Sequence, residues 1–446
     1  MNHKRTKVFI IVLLIIGISI MPFYSFATNE VSTLQIEESK SDKDEFEKIT
    51  APNLLLANTD TGKILYERNI DEKIYPASVT KLMTAILVVE NCKLNDVVTV
   101  GQNAVKIVPL GYVNANLKVG ENLTVENLLN AMLIPSANDA ANVLAEHVGG
   151  TIEKFAVMMN NKAKELGCKG TNFNNPSGLQ EENHYTTTRD LLLISKAAIS
   201  NNTIKTIIGK TTYTLPKSNK YNRVDRILTT TNYLKRKELN KYYYQYCLGG
   251  KTGYTEKAKN CVIEFASKDN INLTAIVMGE NGKIKGTKFL DAKQMFEHGF
   301  SRYVNKQLAS KNAVFDVITI SNGTKETRNL ELLYKSDINI TVDKNNNVEI
   351  IDWKKGENSS DNYIFKKVEY TKNKAPIQKG EKIGKVLFSY NGEEYTSDLI
   401  ANGNVEESKT LQLIVIISII VLCILIIYFL LKSKRNSKKS GKRYIE

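Results

Sequence analysis

The chain has 446 residues, 42% of them hydrophobic, and a formal net charge of +14. At roughly 150 residues per domain it holds two or three domains, and its apolar share excludes a chain too polar to bury a core. Lys4, Arg5 and Lys7 contribute +3 and the tail from Lys432 to Glu446 contributes +6, so only +5 is left for everything between. A basic excess placed at the two ends removes most of the support for nucleic-acid binding, and no nucleic-acid partner is expected.

In chain order, the basic residues Lys4, Arg5 and Lys7 precede an apolar run from Val8 to Met21. Pro22 breaks the run, and Ser25-Phe26-Ala27 sets small residues for a cleavage after Ala27, which predicts a secretory signal over 1–27. The alternative is an uncleaved anchor, for which the run is short. Residues 28–49 are rich in charge and predict a flexible leader. Asn53–Asn58 and Lys63–Tyr66 flank Asp60-Thr61-Gly62, a hairpin pattern. Thr80–Val89 is apolar and helix-forming, and the spacing from Leu117 to Gly150 also predicts helix. Pro135 interrupts it, with Ser136 expected to cap the next helix.

Helical patterns follow over Phe155–Leu166 and Asp190–Ile199, with a turn at Asn174–Gly178 between them. The signal then changes to strands: Tyr213–Asn232, Val262–Phe265, and Leu273–Met278 after the turn Lys268-Asp269-Asn270. Asp291–Phe300 reads as helix. From about Lys311, short alternating runs separated by turns such as Asn322-Gly323 and Asn391-Gly392 predict a small all-β domain. The apolar run Leu411–Leu431 is long enough to cross a bilayer of about 30 Å. The basic tail behind it predicts a cytoplasmic C-terminus and an extracytoplasmic body.

Cys92, Cys168, Cys247 and Cys261 lie in the predicted exported part, and Cys423 lies in the span. No Cys-x-x-Cys pair suggests zinc, and a chain of this length does not need disulfides, so mostly buried free thiols are expected. His147, His184 and His298 are far apart in sequence with no His-Glu-x-x-His, which leaves a zinc hydrolase or a Ser-His-Asp triad poorly supported.

Three short motifs carry the chemistry. Ser78-Val79-Thr80-Lys81 is the one Ser-x-x-Lys of the chain, at the start of an apolar helix. Residues three apart share a helix face, so the lysine can take the serine proton if its pKa is lowered. Ser136-Ala137-Asn138 and Lys251-Thr252-Gly253 follow. Each alone has an ordinary reading as a cap, a turn or a strand end. A P-loop reading of Gly249-Gly250-Lys251-Thr252 fails, because the glycine that motif needs is replaced by Gln245.

Together and in this order the three resemble the active-serine signature of penicillin-binding proteins and serine β-lactamases. The resemblance extends through Ile74–Thr84, Met132–Ala141, Asn174–Leu179, Thr186–Asp190 and Gly250–Thr255 to the D-Ala-D-Ala carboxypeptidases, the low-molecular-weight penicillin-binding proteins. Ala375–Glu381 resembles that family's second domain; Lys259-Asn260 departs from its pattern, as does a full membrane span where relatives often use an amphipathic anchor. The implied fold class is α+β: a β-lactamase/transpeptidase-like catalytic domain over 50–308, an antiparallel sheet with helices packed around it. A β-rich domain over 309–405, a transmembrane helix over 410–431 and a cytoplasmic tail over 432–446 follow.

The implied substrate is the peptidoglycan stem pentapeptide ending in D-Ala-D-Ala, with β-lactams as covalent inhibitors, the bilayer as partner of the C-terminal helix, and no metal or organic cofactor. In the implied roles Ser78 is the nucleophile, Lys81 its base and Ser136 a proton relay. Asn138 orients substrate amide and Lys81, while Lys251 and Thr252 hold the terminal carboxylate. Gly253 allows close approach, and the N–H groups of Ser78 and Tyr254 form an oxyanion hole. His184 and Asp190 are expected to be structural. The rivals are a serine β-lactamase, for which the stretch Thr171–Pro176 lacks the deacylating glutamate, a transpeptidase, and a scaffold with vestigial residues.

Overall fold

The computed structural model describes residues 46–223, 225–282, 284–353 and 362–440. The predicted signal and all but the end of the predicted leader lie outside the described residues. Phe46 and Glu47 belong to a separate N-terminal unit, and the chain from Lys48 onward forms the second unit.

Its first strand is also its most buried. β1 (Asn53–Asn58) carries the sequence NLLLAN and is buried on both faces. It turns through Asp60-Thr61-Gly62 into β2 (Ile64–Arg68), as predicted. The Asn58 carboxamide oxygen accepts from the N–H groups of Asp60 (2.9 Å) and Thr61 (3.1 Å), and Gly62 takes φ +82° to close the turn.

A tight turn over Ala77–Thr80 leads into α1 (Lys81–Asn91), whose residues Lys81 to Val88 are all buried. Then come β3 (Val97–Thr99), α2 (Gln102–Lys106), β4 (Asn122–Thr124), α3 (Val125–Leu133) and α4 (Asn138–Gly149). They are followed by α5 (Ile152–Glu165), α6 (Thr188–Ser200) and α7 (Asn202–Ile208). Side-chain oxygens of Thr124, Thr151, Thr187 and Asn201 accept from the first free N–H groups of α3, α5, α6 and α7.

Two sequence expectations are corrected here. Leu117–Thr124 is not helical: it is a loop ending in β4, which pairs with β3. Gly120, at φ +77°, turns the chain, and the buried Glu121 is tied to Arg226. Ser136 does not cap α4, whose capping position is Ala137. It sits instead at φ +73° with its hydroxyl turned away from the helix, toward Lys251.

The hairpin β5 (Thr212–Leu215) and β6 (Arg226–Thr229) precedes the three long strands β7 (Cys247–Thr255), β8 (Lys259–Lys268) and β9 (Ile271–Glu280). The main sheet has the order β2-β1-β9-β8-β7, antiparallel throughout, with β7 at its edge. α1, α3, α4 and α6 pack their apolar faces into one core with the strands. Antiparallel order with helices segregated onto the sheet is the expected α+β architecture.

α8 (Thr287–Arg302) runs without a break into β10 (Tyr303–Ala309). β10 pairs with β13 (Ile338–Asp343), so strand-rich structure opens ahead of position 309. Within that region β11 (Val314–Thr319), β12 (Asn329–Tyr334), β14 (Glu349–Asp352), β15 (Tyr363–Tyr370), β16 (Lys382–Tyr390) and β17 (Glu393–Ala401) form a six-stranded sheet over a separate core. Asn58 Nδ2 donates to Asn305 Oδ1 (2.7 Å), and Thr61 and Thr341 share a hydrogen bond (3.2 Å) between the two parts.

α9 (Lys409–Ser440) closes the described chain. Its segment Leu413–Lys432 is 20 residues long and exposed, and is long and apolar enough to cross a bilayer. The five cysteines are free, as expected, but only Cys247 and Cys261 are buried; Cys92 and Cys168 are half-buried and Cys423 is exposed.

Candidate active site

Ser78 lies in the Ala77–Thr80 turn, and two glycines hold that turn from outside. A Cβ on Gly178 would sit 1.8 Å from the Ala77 carbonyl oxygen, and one on Gly253 would sit 3.1 Å from the Ser78 nitrogen. Ala77 itself is at φ +49°, a strained value for alanine. Below the turn, the Asn174 N–H can only donate, and it donates to His184 Nδ1 (3.1 Å). The ring proton is therefore on Nε2, which donates to Thr80 Oγ1 (2.9 Å). Burial first, and the nearby Lys81 amine second, push the imidazole down to about 4, so it stays neutral. His184 holds the turn and does not reach Ser78. Asp190 accepts from the N–H groups of Lys169 (3.1 Å) and Gly170 (2.7 Å), which gives it a structural place as well.

α1 starts at Lys81, so the serine and the lysine meet across one turn. Lys81 Nζ lies 2.9 Å from Ser78 Oγ, 2.8 Å from Asn138 Oδ1 and 2.6 Å from the Ser177 carbonyl oxygen. The amine is fully buried. Burial, then the charge of Lys251, pull it well below the ordinary lysine range, while Asp139 opposes them. Asn138 Oδ1 and the Ser177 carbonyl can only accept. They take two Nζ hydrogens, and the third direction faces Ser78 Oγ. In a neutral amine that direction is the lone pair.

Asn138 opens α4, and its Nδ2 donates to the Val113 carbonyl (2.9 Å), which fixes Oδ1 toward Lys81. Asp139 fixes Val113 in turn, by accepting from the N–H groups of Ala115 (2.9 Å) and Leu117 (3.0 Å). On the opposite wall, the buried Lys251 donates to Ser136 Oγ (2.8 Å) and to the Thr252 carbonyl (2.8 Å). Burial and the charge of Lys288 bring its pKa down to about 7 against the pull of Glu264. Thr252 Oγ1 is 2.6 Å from Thr231 Oγ1, and the Tyr254 side chain is exposed at the rim.

Ser78, Ser136, Asn138, Thr252, Gly253 and Tyr254 line one cleft of about 410 Å³. Lys81 and Lys251 stand directly behind its surface, so all eight predicted residues are brought together. The cleft runs along β7, the sheet edge, where an extended peptide can approach backbone groups.

Sequence reasoning missed three contributors. The Ser177 carbonyl is backbone; its signal was the turn Asn175–Gly178, where Asn175 Oδ1 accepts from the N–H groups of Ser177 (3.2 Å) and Gly178 (2.8 Å). Lys288 reaches the Gly253 carbonyl (3.3 Å), and Thr231 braces Thr252. Neither sits in a motif.

A sequence model of the D-alanyl-D-alanine carboxypeptidases matches residues 38–282. D-alanyl-D-alanine carboxypeptidase DacF of Bacillus subtilis is 31% identical over 357 residues, covering 79% of this chain and 84% of its own. This chain belongs to the D-alanyl-D-alanine carboxypeptidase family. A second sequence model, of the C-terminal domain of penicillin-binding protein 5, matches residues 303–407 of this carboxypeptidase. DacC of Escherichia coli is 30% identical over 363 residues, covering 79% and 84% of the two chains. Among solved structures, penicillin-binding protein 5 of Haemophilus influenzae superposes with a TM-score of 0.64 at 26% identity, covering 81% of this carboxypeptidase and 98% of that chain. A DD-transpeptidase of Streptomyces K15 superposes at 0.52 with 28% identity, over 57% of this chain and 98% of its own. The protein is thus a hydrolase of the D-Ala-D-Ala carboxypeptidase type.

Proposed function

We propose that this carboxypeptidase removes the terminal D-alanine from peptidoglycan stem pentapeptides through an acyl-enzyme on Ser78, and that β-lactams acylate the same serine. The observation that carries this reading is the convergence of Ser78 Oγ, Asn138 Oδ1 and the Ser177 carbonyl on one buried amine, Lys81 Nζ.

Neutral Lys81 takes the Ser78 proton as Oγ bonds to the penultimate D-alanine carbonyl carbon. The N–H groups of Ser78 and Tyr254 receive the oxyanion; losing one such donor typically costs about 10²–10³ in rate. Lys251 donates to Ser136 Oγ, which leaves the Ser136 hydroxyl hydrogen free. That hydrogen goes to the leaving D-alanine nitrogen as the C–N bond breaks, and Ser136 regains a proton from Lys81. Water then attacks the ester along the reverse path. The Lys251 ammonium and the Thr252 hydroxyl bind the terminal carboxylate, and Asn138 orients the substrate amide.

The signal-like N-terminus and the exposed apolar stretch of α9 support export and a single membrane span, with the catalytic part outside and the basic tail inside. The unbroken passage from α8 into β10 supports the strand-rich part as a spacer between the span and the cleft.

The deciding experiment incubates the protein with a muropeptide pentapeptide and, separately, with fluorescent penicillin. Stoichiometric D-alanine release and one covalent label per chain are expected. Neither would appear if the residues were vestigial. The likeness to a DD-transpeptidase favours a second reading, in which an added amine acceptor captures the acyl group; mass analysis of the products separates it from hydrolysis. No carboxylate is hydrogen-bonded to Ser78 or Lys81 among the described residues, so the penicilloyl-enzyme is expected to hydrolyse slowly. Rapid turnover of benzylpenicillin would make the protein a β-lactamase instead.

The two lysines also set a pH profile. Lys81 acts unprotonated, so kcat/KM rises as pH climbs through its lowered pKa. Lys251 binds carboxylate protonated, so the profile falls again from about 7 in the free enzyme. Lys251→Arg is expected to flatten the falling limb, because a guanidinium stays charged there. An unchanged falling limb in that variant would assign it to another group.

A further inference from the structure

The two helices that begin at the active site also end together. α1 starts with Lys81 and is followed at once by Cys92, whose N–H donates to the Val88 carbonyl (3.0 Å). α4 starts with Asn138 and carries His147 in its last turn. Between Cys92 and β3 the chain makes a tight turn that returns Asp96. Its N–H donates to the Lys93 carbonyl (3.1 Å), and its Oδ2 accepts from the Lys93 N–H (2.8 Å). The Asp96 carbonyl accepts from the Val125 N–H (2.9 Å), which pins the turn to the start of α3. The result is that the Cys92 sulfur, an Asp96 carboxylate oxygen and a His147 ring nitrogen all lie within 4.8 Å of one another.

We propose that Cys92, Asp96 and His147 form a binding site for a zinc-class divalent ion, which ties the far ends of the helices that present Lys81 and Asn138 to the cleft. The donor set decides the class of ion. A thiolate and an imidazole suit zinc and its borderline neighbours, whereas calcium and magnesium take oxygen shells. In a tetrahedral zinc site the donors stand about 3.3–3.6 Å apart, so the three close on the ion by roughly an ångström. His147 is exposed and supplies that movement, while Cys92 and Asp96 are half-buried on a fixed turn. The fourth position faces solvent on the His147 side and goes to water.

The surroundings favour a cation. Two helix C-termini converge here, and their free carbonyl ends carry partial negative charge. The Asp96 hydrogen bond to the Lys93 N–H occupies Oδ2 and orients the carboxylate, as outer partners of metal ligands do. Binding converts the Cys92 thiol to thiolate, forms a metal–sulfur bond and releases one proton to solvent. The ion then carries two formal negative ligands and one neutral one, and its charge is balanced. The site lies at the opposite end of α1 from Lys81, about 16 Å away along the helix, so the ion takes no part in the acyl transfer. Its effect is on how firmly the two helices are held.

The test uses the full-length protein in detergent, stripped with a chelator and titrated with Zn²⁺, and with Co²⁺ as a spectroscopic probe. One equivalent is expected to bind, with a thiolate-to-cobalt charge-transfer band in the near ultraviolet. Cys92→Ser is expected to abolish the band and weaken zinc at least tenfold. His147→Ala, at an exposed position, is expected to weaken zinc at least tenfold as well. Cys168→Ser, at another half-buried thiol, is expected to leave both unchanged. The proposal is overturned if the parent protein takes up no stoichiometric zinc at micromolar concentration. It is equally overturned if either the Cys92 or the His147 variant keeps the parent affinity.

Discussion

Replacing Lys81 with methionine is expected to slow penicillin labelling and D-alanine release by about 10²–10⁴-fold, the usual contribution of a positioned base. Ser78→Ala is expected to abolish labelling outright. The two act as a unit, so the double variant should be no worse than Ser78→Ala alone. Methionine preserves much of the side-chain volume but leaves Asn138 Oδ1 and the Ser177 carbonyl without their donor. Each buried acceptor orphaned in this way costs about 1–3 kcal/mol.

A second signature belongs to the lysine alone. Its native pKa is well below the ordinary value, so over the window between them the unfolded chain binds a proton that the native protein lacks. Stability therefore rises with pH across that window, and the methionine variant loses this part of the slope. Urea unfolding at several pH values reads it. A Lys81→Met protein that labels at the parent rate would remove the lysine from the mechanism.

Gly178→Ala is expected to be nearly as damaging, although residue 178 carries no chemistry. Its φ of +82° strains any L side chain, and the new methyl would stand 1.8 Å from the Ala77 carbonyl oxygen. Neither partner can yield cheaply. The Gly178 N–H donates to Asn175 Oδ1 (2.8 Å), and the Ala77 turn is wedged against Gly253 on its other side. Left-handed strain and overpacking together predict a loss of about 2–5 kcal/mol. Any folded fraction should acylate slowly, because the shift passes directly into Ser78. The urea midpoint and the labelling rate measure the two effects, and a variant that matches the parent in both would show that the turn has room.

The catalytic part of the site was legible to different degrees for physical reasons. Ser78 and Lys81 are three residues apart, and local spacing dictates that they meet. Ser136 and Lys251 are joined by a hydrogen bond across the cleft, and only the order of short motifs signalled it. Lys288 reaches the site from the first turn of α8, Glu264 from β8 and Thr231 from the turn after β6, without any pattern of their own. The Ser177 contact is a carbonyl, which residue identity cannot announce.

The fold shows the same division. The β1–β2 and β8–β9 hairpins were readable from apolar runs around turn residues. Leu117–Thr124 was misread because the helical pattern of Leu123, Val125, Leu128, Leu129, Met132 and Leu133 was extended back to Leu117. Gly120 and the contact of Glu121 with the distant Arg226 settle it as loop and strand. β17 follows the Asn391-Gly392 turn that sequence did identify. Its glutamates, threonine and aspartate fill outward positions, so only Leu399 and Ala401 of the pattern are deep in the core.

The strand order has a consequence for how the molecule comes into being. β1 is synthesised long before β9, yet one flank of it is completed by β9, with Leu54 opposite Val277. Until that partner is synthesised, NLLLAN has only the short β2 beside it and one edge open to any extended chain. Pairings this distant form slowly, because the loop must close before any contact rewards it. The polypeptide therefore stays unfinished until roughly the first two-thirds of it is available at once. Such a delay makes the first strand the one in most need of shielding while the rest of the chain is being made.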